Sequence, residues 1–420
     1  MSWFAALMRR VLGGSIDRAL FPILAVTFAG SVTGGMMWSF IGIWAIKHLD
    51  ASNAQLAFGF LGGAISGALG GYLGGHLSDR FGRKPLILVG WSANAVIPLM
   101  LLAVGTHLWW GLGMLMTFGF FGSIGNAGSQ ALVPDLLPED RHEAGYAAVR
   151  VIQNLGVTFG PFIGGLLLLG ENWSRLFVGV ACVGFIPFLL ALKFIPRRGQ
   201  YAPEAPPDRG SFGVIMRDPV FLLFFISGTF STLVYVAYET VLPISLVDTH
   251  GLSPSTWGFL VVVNPAMVAL FQLRITARVA HVPASIKLSL AILLMGLPFL
   301  ALTVSGAVVV AAAVIFVFVI GEMLWVPTSQ AVVARIAPAD IRGAYIGAFG
   351  STFAIGFALT PFMGLQIRGA AGDSVMWIFF ASLATVGAII AFIACTRAFG
   401  ITGAAEGELE EMAEEAVATA

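Results

Sequence analysis

Two glutamates and one arginine stand where a charge is expensive. Glu239, Glu322 and Arg150 each fall well inside a long apolar stretch, and an ionisable side chain at membrane depth is a functional hypothesis by default. Glu322 lies about midway along its stretch, with Trp325 one helical turn further on. A carboxyl group that holds a proton when empty and gives it up to a bound cation is a natural proton/cation exchanger, and the indole offers a π face to the same cation. The plainer reading of Glu322 is an acid hydrogen-bonded for structure. Glu239 follows Tyr235 and Tyr238; its plainer reading is an acid wetted by an aqueous cavity. Arg150, with Gln153 and Asn154 on adjacent faces, cannot lose its charge. It therefore calls for an acid partner, with Glu322 and Asp135 as candidates, or for an anionic substrate.

A second charged group is local. Residues 75–86 read Gly-His-Leu-Ser-Asp-Arg-Phe-Gly-Arg-Lys-Pro-Leu, a dense polar loop pinned between two apolar stretches. Asp79 could cap the positive N-terminus of a later helix that begins near Ile341, latching two parts of the chain together. Arg83, four residues on, could pair with Asp135. The latch then comprises Gly75, Asp79, Arg80, Gly82, Arg83 and Asp135. Just before it, Gly59, Gly63, Gly67, Gly71 and Gly75 recur every four residues. That spacing puts them on one helix face, where bare backbone lets a neighbouring helix approach closely.

The elements that hold these residues follow from composition. Of 420 residues, 58 % are hydrophobic and 10 % charged, against about 25 % charged in a soluble globule. So few charges cannot enclose so large an apolar mass in water, and the chain reads as a polytopic membrane protein. A crossing helix needs about 20 apolar residues. Twelve stretches qualify, from 20–46 to 373–397, all too long for barrel strands. Pro203, Pro206 and Pro207 mark a polar linker, 196–218, with six stretches on each side. The expected organisation is an N-terminal segment 1–19, a six-helix bundle 20–195, the linker, a second bundle 219–397 and an acidic tail 398–420. With both termini cytoplasmic, all but four of the 22 Lys and Arg residues fall on the cytoplasmic side. Lys47, Arg175 and Arg368 lie outside and Arg150 within a span, as the positive-inside rule requires. Zero formal net charge and the lack of a basic stripe speak against a nucleic-acid partner. Cys182 and Cys395 both fall inside apolar stretches and provide no disulfide framework.

The two halves repeat. Ser129-Gln130-Ala131 recurs as Ser329-Gln330-Ala331, and Gly156, Pro161 and Gly164 recur as Gly356, Pro361 and Gly364. An even number of spans per half keeps both copies in one orientation, which is a parallel repeat about an axis along the membrane normal. Such a pair encloses a site at its interface.

Twelve spans in two parallel halves, with the 75–86 loop after the second, resemble the major facilitator superfamily. Gly75, Leu77, Asp79, Arg80, Gly82, Arg83 and Lys84 match that superfamily's loop signature. Gly156, Gly160, Pro161, Gly164 and Gly165 resemble its antiporter motif in the fifth span, with Ala147 in place of an upstream glycine. The whole is most similar to the twelve-span drug:proton antiporters. The arginine those antiporters often carry in the fourth span is missing from residues 117–122, which puts its proton-handling role in doubt or shifts it to Arg150. The resemblance implies a monomeric secondary transporter of the cell membrane, without cofactors and driven by a proton gradient. Its adaptable aromatic cavity draws on Trp38, Phe118, Tyr146, Tyr235, Tyr238, Trp325 and Tyr345. Uptake of a sugar, peptide or organic acid is the alternative within transport, and the sparse Asn and Gln of the central spans speak against a sugar. A membrane enzyme is the alternative outside it. The chain has no His-Glu-x2-His, no Gly-x-Ser-x-Gly and no phosphate-binding loop.

Overall fold

The computed structural model describes residues 18–103, 107–138, 142–196, 211–279, 281–338 and 341–400. Most of the N-terminal segment, most of the linker and nearly all of the acidic tail lie outside these residues, as do the side chains of Gly75 and Asp79. The regular structure among the described residues is helical throughout. Among the described residues, ten stretches are long and apolar enough to cross a membrane.

The helices of the first part are α1 (Phe21–Leu49), α2 (Asn53–Phe81), α3 (Arg83–Leu102), α4 (Leu108–Leu136), α5 (His142–Leu167) and α6 (Trp173–Phe194). After a five-residue helical turn, Ser211–Ile215, come α7 (Pro219–Ile244), α8 (Pro254–Leu260), α9 (Val263–Arg278), α10 (Ala284–Gly296), α11 (Val308–Ile336) and α12 (Arg342–Phe399). Their ends follow local chemistry. Ser52 and Gln55 form a capping box at the start of α2: the Gln55 N–H donates to Ser52 Oγ at 3.2 Å and the Ser52 N–H to Gln55 Oε1 at 2.9 Å, which satisfies two of the orphan donors of a helix start. Gly82, at φ 86°, separates α2 from α3, and Gly372, at φ 85° and ψ 172°, breaks the 58-residue α12. Both conformations are open to glycine and strained for other residues.

Prolines inside the helices leave carbonyls without their usual donor, four residues on. Neighbours answer them in two ways. Pro98 frees the Asn94 carbonyl of α3; a Cβ built on Gly184 of α6 would lie 2.7 Å from that oxygen, so only a bare Cα fits there. Pro327 frees the Met323 carbonyl of α11, and Gln272 Nε2 of α9 donates to it at 2.9 Å.

Two compact units emerge, one of residues 1–206 with 251–265, the other of 207–250 with 266–420. Within the first, α1 packs on α5 and α6, α2 on α4, α3 on α4 and α6, and α8 on α5. Within the second, α12 packs on α7 and α10, and α10 on α11. Residues 251–265 pack with the first unit, where α8 meets α5 through glycines. A Cβ on Gly258 would lie 2.6 Å from the Cα of Gly165.

The expected glycine row of α2 is approached by α4, since a Cβ on Gly119 would lie 2.9 Å from the Gly63 carbonyl oxygen, but the adjacent row is approached more tightly. A Cβ on Gly70 would meet the Phe120 carbonyl oxygen of α4 at 2.2 Å and one on Gly74 the Ile124 Cα at 2.9 Å, whereas one on Gly63 meets nothing within 4 Å. Ser66 Oγ donates to the Met116 carbonyl at 2.7 Å. The tightest approach therefore runs along the 62/66/70/74 row, one residue before the expected one, while Gly59 and Gly67 border it. A spacing of four identifies a face but not which of two adjacent glycine faces meets its neighbour.

Candidate functional site

Five of the residues singled out from sequence converge in the second unit. The Tyr235 hydroxyl of α7 donates to Glu322 Oε1 of α11 at 3.5 Å. Glu239 follows Tyr235 by one turn of α7 and is half-buried. Trp325 is buried and lies parallel to Tyr235, with centroids 6.3 Å apart and 29° between planes. Tyr238 stacks on Phe318 at 4.5 Å. Two residues complete this box without having been anticipated. Phe318, one turn before Glu322, also approaches Tyr235 at 6.1 Å. Phe353 of α12 lies 5.8 Å from both Tyr235 and Trp325. Helical spacing from Glu322 could have found Phe318; nothing in the sequence distinguishes Phe353 among 34 phenylalanines. Two carboxyl groups set among aromatic faces form a site that can exchange a proton for a cation: the acids take or release the charge, and the rings stabilise a cation that has shed its water.

Other expected site residues are placed elsewhere. Tyr345 is buried near the start of α12, where its hydroxyl donates to Asp218 Oδ2 at 3.1 Å and its ring packs on Phe221 at 4.7 Å. Asp218 Oδ1 in turn accepts the Val220 and Phe221 N–H groups, each at 3.0 Å. Tyr345 thus braces the N-cap of α7. In the first unit, Trp38 of α1 packs edge-on to Phe60 at 5.7 Å, Phe118 is half-buried on α4, and Tyr146 is exposed with its hydroxyl 3.5 Å from the Gln130 carbonyl. Arg150 is exposed on α5, as is Asn154.

Three basic residues of the charged loop, Arg80, Arg83 and Lys84, make contacts in the first unit. Arg83 Nε is 2.9 Å from Asp135 Oδ2, both largely buried, and Arg83 Nη1 donates to Ser78 Oγ at 2.9 Å. Arg83 thus ties the junction of α2 and α3 to the end of α4 and engages an acid that was also a candidate partner for Arg150. Lys84 Nζ donates to the Leu192 and Ile195 carbonyls at 2.7 and 2.8 Å, capping the C-terminus of α6, where a cation is favoured. Arg80 lies over the Phe81 ring, 5.4 Å from its centroid. Replacing Arg83 with Met should lower the melting temperature of the purified protein by several degrees, since it strands the Asp135 carboxylate. Adding Asp135→Leu should recover most of that loss, because an apolar pair of similar volume is tolerated better than one buried charge.

A further ionic cluster joins the far end of α7 to the two halves of α12. The buried Arg368 donates from Nε to Asp373 Oδ1 at 2.8 Å and from Nη2 to Thr249 Oγ1 at 2.9 Å, and also pairs with Asp248. Ser245 donates to Asp373. From sequence, Arg368 counted only as an outside charge: Asp373, five residues on, lies past the break at Gly372, and Asp248 and Thr249 lie about 120 residues away, just beyond α7. Arg368→Met should destabilise the fold by about 3 kcal/mol, the scale of breaking a buried pair from one side, and thermal unfolding in detergent measures it.

The family model of the Major Facilitator Superfamily matches residues 23–361. A Na(+), Li(+), K(+)/H(+) antiporter of Planococcus maritimus is 24 % identical over 376 residues, covering 81 % of this chain and 84 % of the relative. Multidrug resistance protein MdtH of Shigella boydii is 25 % identical over 346 residues, covering 81 % and 80 %. Among solved structures, a POT family transporter in complex with a thioalcohol-conjugated peptide superposes with a TM-score of 0.73 at 17 % identity, covering 90 % of this chain and 96 % of that one. The first relative is named for cation/proton antiport and the second for multidrug resistance; the third shares the fold. This chain is a membrane transporter and belongs to the Major Facilitator Superfamily.

Proposed function

We propose that this protein exports lipophilic organic cations in exchange for protons, by alternating access, across a bacterial cell membrane. The observation that carries the reading is the pairing of Glu322 and Glu239 with the aromatic faces of Tyr235, Trp325, Phe318 and Phe353 in one box. An organic cation leaves water more cheaply than an alkali ion, so aromatic faces and one ionised carboxylate suffice to hold it. In this reading the chain crosses the bilayer twelve times, with α12 supplying two crossings on either side of Gly372 and both termini cytoplasmic. It works as a monomer and draws its energy from the proton gradient alone. Glu322 is the coupling acid, Glu239 tunes cation affinity, Arg150 takes part in proton coupling from the fifth span, and the loop around Asp79 latches the halves.

The antiport of alkali cations by the Planococcus maritimus relative favours a second reading, in which the same acids exchange Na⁺, Li⁺ or K⁺ for protons. Everted vesicles loaded with a pH-sensitive dye separate the two. Collapse of the proton gradient by tetraphenylphosphonium or ethidium, with no response to alkali chlorides, supports organic-cation export. A response to alkali cations alone supports the second reading, and a response only to peptides, sugars or organic anions would withdraw both.

A further inference from the structure

The proline that interrupts α11 lies five residues after Glu322. Pro327 has no N–H, so the Met323 carbonyl, directly after Glu322 in the chain, has no donor in its own helix. Met323 is 1 % exposed, and a carbonyl buried there without a partner is costly. Gln272 of α9 answers it: one Nε2 hydrogen goes to the Met323 oxygen at 2.9 Å and the other to Thr276 Oγ1, one turn along α9, at 3.0 Å. A primary amide has two donors, and both are engaged, so the amide is held in one orientation. The turn of α11 that carries Glu322 and Trp325 is therefore fixed partly from outside, by a side chain of another helix, at the one point where its own ladder is broken.

We propose that Gln272 is a positioning residue for proton coupling: its bond to the proline-freed Met323 carbonyl sets the rotation of the turn that presents the Glu322 carboxyl to Tyr235. The inference rests on Glu322 as the coupling acid. Gln272 touches neither the proton nor the substrate. The groups around Glu322 that its rotation would re-pair include the Tyr235 hydroxyl and, beyond it, Glu239 and Tyr238, all on α7. Without the Gln272 bond, the broken ladder no longer defines where the carboxyl points, and a displacement of about 1 Å at a reacting group is enough to cost orders of magnitude in rate.

The test is a cycle of Gln272→Met, Pro327→Ala and the double variant, each purified and reconstituted in liposomes with tetraphenylphosphonium as the probe. Gln272→Met keeps the volume and removes the donors; Pro327→Ala restores an N–H to the Met323 carbonyl. Gln272→Met is expected to lower proton-coupled efflux about tenfold and to displace the pH midpoint of probe-induced proton release, with binding of the probe at high pH little changed. The double variant is expected to match Pro327→Ala alone, because the restored backbone bond makes Gln272 dispensable. If Gln272→Met does not fold, the double variant still decides, since it must fold and couple. Wild-type coupling in Gln272→Met, or a double variant as impaired as Gln272→Met, would overturn the assignment. Glu322→Gln is run alongside: unchanged proton release there overturns the coupling role of Glu322 itself, whereas loss of release in Glu322→Gln beside a normal Gln272→Met overturns only the positioning role.

Discussion

Glu322→Gln is expected to abolish uphill efflux while leaving the protein folded, with coupled transport down by about two orders of magnitude, the scale of losing a positioned proton-transfer group. Glutamine is nearly isosteric and can still accept the Tyr235 hydrogen bond, so the aromatic box keeps its shape. What it cannot do is release a proton. Downhill flux and substrate exchange should survive in part, because the rings still bind the cation. The measurement is substrate-induced proton release from purified protein across about pH 5 to 9. Release equal to wild type would rule out Glu322 as the coupling acid and leave Glu239, or Asp135 with Arg150, as the next candidates. Adding Glu239→Gln separates two roles for the second acid. Coupling no worse than in the single variant means that Glu239 tunes affinity, and worse coupling means that both acids hold the proton.

Gly160→Leu is expected to abolish transport and to reduce the yield of folded protein. A Cβ at this position would lie 2.6 Å from the Val32 carbonyl oxygen and 2.8 Å from backbone atoms of Gly35, both on α1. These are main-chain atoms of a packed helix, not the ends of flexible side chains, so α1 and α5 must separate. Overpacking a close contact costs about 1–3 kcal/mol or more, and here the strain falls on the contact that joins α1 to α5. Gly156 and Gly164 face the same helix, and substitutions there should behave alike. Gly63→Ala is the matching control: a Cβ there meets nothing within 4 Å, and alanine favours helix over glycine by about 1 kcal/mol. Transport and melting temperature should hold in that variant, and wild-type transport in Gly160→Leu would show that α5 makes no close contact at Gly160.

Composition determined that this chain belongs in a membrane, because 10 % charged residues cannot cover its apolar mass in water, and the length of its apolar stretches determined that it is helical. The acids of the candidate site were legible for the same reason: against long apolar stretches, Glu239 and Glu322 stand out, and each carries a desolvation cost that function must justify. The aromatic partners were only partly legible. Tyr235, Tyr238 and Trp325 were visible by helical spacing from an acid on their own helix, whereas Phe353 reaches the box from another helix. Tyr345 braces the start of α7 through Asp218, a contact across 127 residues that the sequence does not show. The prolines were plain in the chain, but not which neighbour answers each freed carbonyl, since Gln272 meets Met323 only once α9 lies beside α11. Arg368 was read as a lone outside charge, and the fold gave it Asp248 and Asp373. Local chemistry and solvent preference thus determined the elements and the costly residues. Which faces meet, and so which charges and carbonyls find partners, was decided by packing between helices far apart in the chain.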